Sequence, residues 1–83
     1  MTTKGITIDN SAYVRITTEM NFLVQNSAGP GAVAIIVADT QPPLDADYAI
    51  SLANGCGIAS SIVKGTLWAK AISSTPVTLS VTE

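Results

Sequence analysis

A chain of 83 residues with one cysteine, no histidine and a net charge of −2 excludes an internal disulfide, a Cys/His metal site and any Ser-His or Cys-His nucleophile pair. Its four cations, Lys4, Arg15, Lys64 and Lys70, are scattered, so no basic stripe follows a phosphate backbone and direct nucleic-acid binding is not expected. No apolar run approaches the roughly 18–20 residues of a membrane span, which leaves one soluble domain, residues 1–83.

Residues 4–9 are the first strand candidate, with Ile6 and Ile8 on one face. Asp9-Asn10-Ser11 is a turn signal, because Asp and Asn hydrogen-bond their own backbone. Residues 13–18 form a second strand, with Val14 and Ile16 on one face and Tyr13, Arg15 and Thr17 on the other. Residues 20–26 follow, with Phe22 and Val24 opposite Leu23 and Gln25. Gly29-Pro30-Gly31 is the strongest turn signal in the chain. It lacks the Lys-Ser/Thr and the helix of a phosphate loop, and is read as a hairpin turn.

Residues 32–38 (AVAIIVA) are continuously apolar. Val33, Ile35 and Val37 face the core, and Ile36 points the other way beside Ala32, Ala34 and Ala38. A strand apolar on both faces is buried on both faces, and in so short a chain a neighbouring subunit is the expected second cover. Residues 39–47 (DTQPPLDAD) are irregular, held extended by Pro42-Pro43. In residues 48–52, Tyr48, Ile50 and Leu52 share a face. Residues 53–57 form a loop around Cys56, and in residues 58–63 the spacing of Ile58, Ile62 and Val63 suits one turn of helix or an irregular strand, of which the strand is preferred.

Residues 65–83 (GTLWAKAISSTPVTLSVTE) organise the rest. Leu67, Ala69 and Ala71 alternate with Thr66, Trp68 and Lys70. Val77, Leu79 and Val81 alternate with Thr78, Ser80 and Thr82. A period of two is what a half-buried strand needs. Pro76, lacking an N–H, suits a strand start. The pair reads as an antiparallel hairpin with one face on the core. The whole is an all-β chain, a compact antiparallel β-sandwich or small barrel of about seven to eight short strands.

No constellation here favours catalysis, and the chain is read as not an enzyme, with no cofactor. Cys56, between two glycines, has no neighbouring base or cation to activate it. Asp39, Asp45 and Asp47 lack calcium-loop spacing and its glycine, and read as a solvated acidic loop.

Charged residues are 12 % and apolar residues 47 %, against a usual charged share of ~25 %. A lone small domain with so little charge exposes apolar patches, which mark interfaces, so a homo-oligomer is expected. The candidate interface residues are Trp68, Ile36, Leu23, Tyr13 and Tyr48. Trp68 falls on the outward face of its strand and is first an interface residue. With the pleat reversed it is core, and a sugar-stacking platform is the third reading. The start MTTKG has no apolar stretch of a signal peptide, so synthesis in a reducing cytoplasm is expected.

The stretches FLVQNSAGPGAVAIIVAD (residues 22–39) and GTLWAKAISSTPVTLSVTE (residues 65–83) resemble a group of small virion proteins of tailed bacteriophages. The resemblance is carried by Gln25-Asn26, Gly29-Pro30-Gly31, Trp68-Ala69-Lys70 and Val81-Thr82-Glu83. Where such loops often carry Pro-Gly, this chain has Asn54-Gly55-Cys56-Gly57. The resemblance implies a capsid decoration (cement) protein or head- or tail-associated subunit, commonly trimeric. It further implies binding to itself and to major coat or other virion proteins, with assembly in the host cytoplasm and residence in the virion. A receptor- or glycan-binding module of a tail or head fibre, and an accessory or regulatory β-domain, are the alternatives.

Overall fold

Strands form where apolar and polar side chains alternate, and a computed structural model describes them over residues 2–17, 21–28, 31–48, 50–53, 55–61, 65–72 and 74–83. In chain order they are β1 (Thr3–Ile8), β2 (Val14–Arg15), β3 (Leu23–Ala28), β4 (Val33–Val37), β5 (Ile50–Leu52), β6 (Cys56–Ala59), β7 (Leu67–Ala71) and β8 (Val77–Thr82). They build two four-stranded sheets, ordered β1-β8-β3-β6 and β2-β7-β4-β5. Every pairing is antiparallel. The shortest extent of the molecule is 17 Å, which fits two layers stacked about 10 Å apart. The fold is a small β-sandwich.

The core lies between the layers. The first sheet contributes Ile8, Phe22, Val24, Ile58, Val77, Leu79 and Val81, and the second Val33, Ile35, Leu52, Leu67, Ala69 and Ala71. Ile16 joins them from just beyond β2. β7 and β8 show complete alternation, with Leu67, Ala69, Ala71, Val77, Leu79 and Val81 buried and their neighbours half-exposed. Fully burying one Val or Leu side chain contributes about 1.5–3 kcal/mol.

The expected C-terminal hairpin does not exist. β7 belongs to the second sheet and β8 to the first, so the link between them arches across the core. Two strands that are each apolar on one face bury both faces by opposing them, whereas a hairpin would set them side by side. The same holds for β3 and β4, which do not pair, so the Gly-Pro-Gly segment is not a hairpin turn. Gly29 and Pro30 themselves lie outside the described residues, while Gly31 has a φ of 113°. Among the described strands, only β4 and β5 are consecutive and in the same sheet.

Three further boundaries differ from the sequence reading. The second strand shrinks to Val14–Arg15. Beyond it Ile16 and Thr17 are both buried, and Val14, expected on the core face, is 39 % exposed at the sheet edge. Alternation fails there because Thr17 turns inward and its Oγ1 accepts the Leu67 N–H at 3.0 Å, ending the ladder. Cys56 and Gly57, expected in a loop, begin β6. Val37 ends β4 and is exposed, not core. The expected strand positions Thr18, Met20, Ile62 and Val63 lie outside the described residues.

The turn after β1 follows the Asx chemistry expected of it. Asp9 Oδ1 accepts from the Ser11 N–H at 3.0 Å and from the Ser11 hydroxyl. The hydroxyl first, and then the N–H, hold the Asp9 carboxyl below the usual carboxylate value.

One polar side chain ties the two layers together. Asn26 is fully buried. Its Nδ2 donates to the carbonyl of Leu52 in β5 at 2.9 Å and to that of Gly31 at 3.0 Å. Asn26→Asp would place acceptor oxygens against those two carbonyls and bury a charge. The variant is expected to lose at least about 3 kcal/mol at neutral pH. Such a buried carboxyl has a raised pKa, so stability should recover as the pH falls and the acid regains a donor. Denaturant unfolding of both proteins at neutral and acid pH checks this. A variant whose deficit is the same at both would refute the donor role.

Candidate functional site

The molecule has two unlike outer surfaces. On the second sheet, the face away from the core carries Trp68 beside Arg15 on one side and Ile36 on the other, with Lys70 beside Ala34. Residues 38–48 fold back over this face. The Trp68 indole N–H donates to the Ala38 carbonyl at 2.9 Å, and Lys70 Nζ to the Leu44 carbonyl at 2.8 Å. Gln41 Nε2 donates to the Tyr13 carbonyl at 2.9 Å, and the Tyr13 hydroxyl reaches the Ala46 carbonyl at 3.4 Å. Lys70 Nζ also lies 5.2 Å from the centre of the Tyr13 ring, within cation–π range.

This loop changes the reading of β4. Ala34 is fully buried and Ile36 half-buried. The second cover of this two-sided apolar strand is the chain's own Pro-rich segment, so no neighbouring subunit is needed for it. The segment's backbone carbonyls at Ala38, Leu44 and Ala46 accept the hydrogen bonds that hold it down, while Asp39, Asp45 and Asp47 remain exposed. Among the described residues no group of three or more His, Cys, Asp or Glu side chains converges as a metal site would. Cys56 is a free, exposed thiol at the start of β6.

The first sheet presents the opposite character. Its outward positions are Thr3, Gly5 and Thr7 on β1, Thr78, Ser80 and Thr82 on β8, Leu23 and Gln25 on β3, and Gly57 and Ala59 on β6. None is charged. Thr3 and Thr82 share a hydroxyl hydrogen bond of 2.8 Å, and Thr7 and Thr78 one of 2.9 Å. The result is a pleated surface of hydroxyls, glycines and one exposed leucine.

Of the candidate interface residues, Trp68, Ile36 and Tyr13 come together on the second sheet's outer face. Tyr48 stands near Tyr13 and is itself exposed. Leu23 lies on the other sheet, 38 % exposed. Tyr13 is 1 % exposed, covered by Lys70 and residues 38–48, so it is not available to a partner of the folded chain. Trp68 faces away from the core as its strand pattern required. It is half-buried, and its one N–H is already committed to the chain. The other feature is the uncharged face of the first sheet, and its signal was the i, i+2 recurrence of Thr78, Ser80 and Thr82 in β8 together with Thr3, Gly5 and Thr7 at alternate positions of β1.

Set against family models, curated proteins and solved structures, the chain matches none.

Burial first, with Tyr48 and Asp47 adding to it, raises the Tyr13 pKa above 10.0. The neutral phenol is therefore the form the fold holds. The stability linked to it is complete below about pH 10, the ordinary tyrosine value, and is lost as the pH rises through the higher value of the folded state. Tyr13→Phe should flatten the alkaline fall in stability, measured by denaturant unfolding across that range, and an unchanged slope would refute the linkage. Lys70→Met keeps the aliphatic stem but removes the ammonium. A loss of about 1 kcal/mol is expected, with faster exchange of the Trp68 indole N–H as residues 38–48 loosen.

Proposed function

We propose that this chain is a non-enzymatic structural subunit of a virion, and within that class a capsid decoration protein that seats on a coat lattice and stiffens the shell. The observation that carries this reading is the uncharged outer face of the first sheet, formed by Thr3, Thr7, Thr78, Ser80, Thr82, Gln25 and Leu23. A surface without charges meets another protein with little desolvation penalty, since burying unpaired charge is the expensive step. Hydroxyls supply hydrogen bonds, and Leu23 an apolar anchor. Each contact is small. Many copies on one shell make the attachment multivalent, so modest single affinities combine. The likeness of residues 22–39 and 65–83 to tailed-phage virion proteins supplies the finer reading, including partnership with coat proteins and with further copies of the chain, commonly as a trimer. The glycan-binding alternative draws less support, because the indole N–H of Trp68 is bonded to Ala38 and the ring is half-covered.

The test is whether the protein travels with particles. Purified chain, added to phage shells from cells that make it, is expected to co-sediment with them and raise their resistance to heat. Leu23→Lys, placing a charge on the uncharged face, should release it at least tenfold more readily. Failure of the wild-type chain to bind any shell, together with Trp68 fluorescence quenched by oligosaccharides, would replace this reading with the glycan-binding one.

A further inference from the structure

We propose that β1 is a docking edge for a second copy of this chain, the two copies pairing β1 against β1 in antiparallel register about Gly5. The proposal does not rest on the shell reading above. Thr2 and Glu83 exchange both backbone hydrogen bonds, at 2.8 and 3.1 Å. Bonded and non-bonded pairs alternate along an antiparallel ladder, so Lys4, Ile6 and Ile8 bond inward to β8. The N–H and C=O groups of Thr3, Gly5 and Thr7 then point outward. Among the described strands none pairs with β1 on that side, and all three residues are exposed. The hydroxyls of Thr3 and Thr7 bond within the sheet, to Thr82 and Thr78, and leave these backbone groups open.

The other three edges are shorter. β2 has two residues, and Gln41 takes the Tyr13 carbonyl beside it. β5 has only three residues. β6 has only four residues. Proteins protect edges in such ways because an open edge recruits another strand. Among the described strands, β1 has six residues, no proline and one charge, on Lys4.

The outward residues centred on Gly5 give the occupant. Glycine weakens a strand interior. The fold does not require one here: φ at Gly5 is not positive, and an added Cβ would meet only Thr78 Cγ2, at an ordinary 3.5 Å. In contrast, a Cβ at Gly57 would lie 3.2 Å from the Val24 carbonyl, so that glycine is explained within the chain. Glycine in a strand often marks a bulge, a bend, or a place where a ligand or another backbone approaches closely, and the unbroken register of β1 with β8 leaves no bulge here. The outward residues are also symmetric about Gly5. A two-fold axis there sets Gly5 against Gly5 of the second copy and Thr3 against Thr7 of the second copy. That is the self-complementarity an isologous contact demands. About six backbone hydrogen bonds join the edges, and the uncharged Thr/Ser surface runs unbroken across both copies. The contact is narrow, below the roughly 1,200 Å² of a standard interface, so the dimer is weak and concentration-dependent.

The experiment is amide hydrogen exchange on the whole chain, read residue by residue at low and high protein concentration. The amides of Lys4, Ile6 and Ile8 should be protected throughout. Those of Thr3, Gly5 and Thr7 should become protected only as concentration rises. Gly5→Pro removes one outward N–H from each copy and should weaken the dimer about thirtyfold. Gly5→Lys, for which the monomer has room, sets like charges opposite each other and should abolish the concentration dependence at Thr3 and Thr7, with thermal unfolding confirming an intact fold. Exchange that ignores concentration would overturn the proposal. So would self-association that leaves these three amides open, or protection that appears only when a different protein is added.

Discussion

β8 is bonded on both sides, to β1 and to β3, while its Val77, Leu79 and Val81 press against the second sheet. The first sheet has no other way to close, because β1 touches no other strand of it and β3 needs β8 to meet β1. The requirement behind this is simple. Each strand turns an apolar face inward, and the cover for it is the apolar face of the opposing sheet. The chain meets that requirement by crossing between layers at nearly every connection. Apart from β4 and β5, strands adjacent in sequence therefore stand in different sheets, and their hydrogen-bonding partners come from far along the chain. Such a topology pays its loop-closure entropy before the long-range pairings reward it, which places it among slow-folding β-domains. β1 in particular waits for a partner made almost last.

The sequence made the strands legible because burial imposes a period of two. Leu67-Trp68-Ala69-Lys70-Ala71 and Val77 to Val81 alternate in the structure as they do on paper, and so do Phe22, Val24 and their neighbours. What a period cannot carry is the identity of the partner. Residues 72–76 look the same whether the chain turns back beside itself or arches over the core, since Ser, Thr and Pro suit both. The hairpin expectation failed on that point alone. Alternation also misleads at edges. Val14 and Tyr13 trade burial because the cover at that edge is a loop, not the opposing sheet.

The candidate site was legible in part. The outward direction of Trp68 followed from its strand, and so did that of Leu23. The burial of Tyr13 did not, because it depends on residues 38–48 folding back through backbone carbonyls, which every sequence has and none advertises. This loop also answers the question raised by so short and charge-poor a chain. Part of the apolar surface that seemed to demand a partner is covered from within, at Ala34 and Ile36, and the two prolines keep the covering segment extended at low entropic cost.

Charge is divided unevenly between the two faces. Arg15, Lys70, Asp39, Asp45 and Asp47 gather on the side of the second sheet, and the outward face of the first has none. A surface without charge exerts no long-range pull, so an encounter through it proceeds at the unsteered rate, about 10⁵–10⁶ M⁻¹s⁻¹. It is equally indifferent to screening. Contacts made there form slowly and then hold as well in strong salt as in weak, while anything that meets the other face feels the ionic strength of its surroundings.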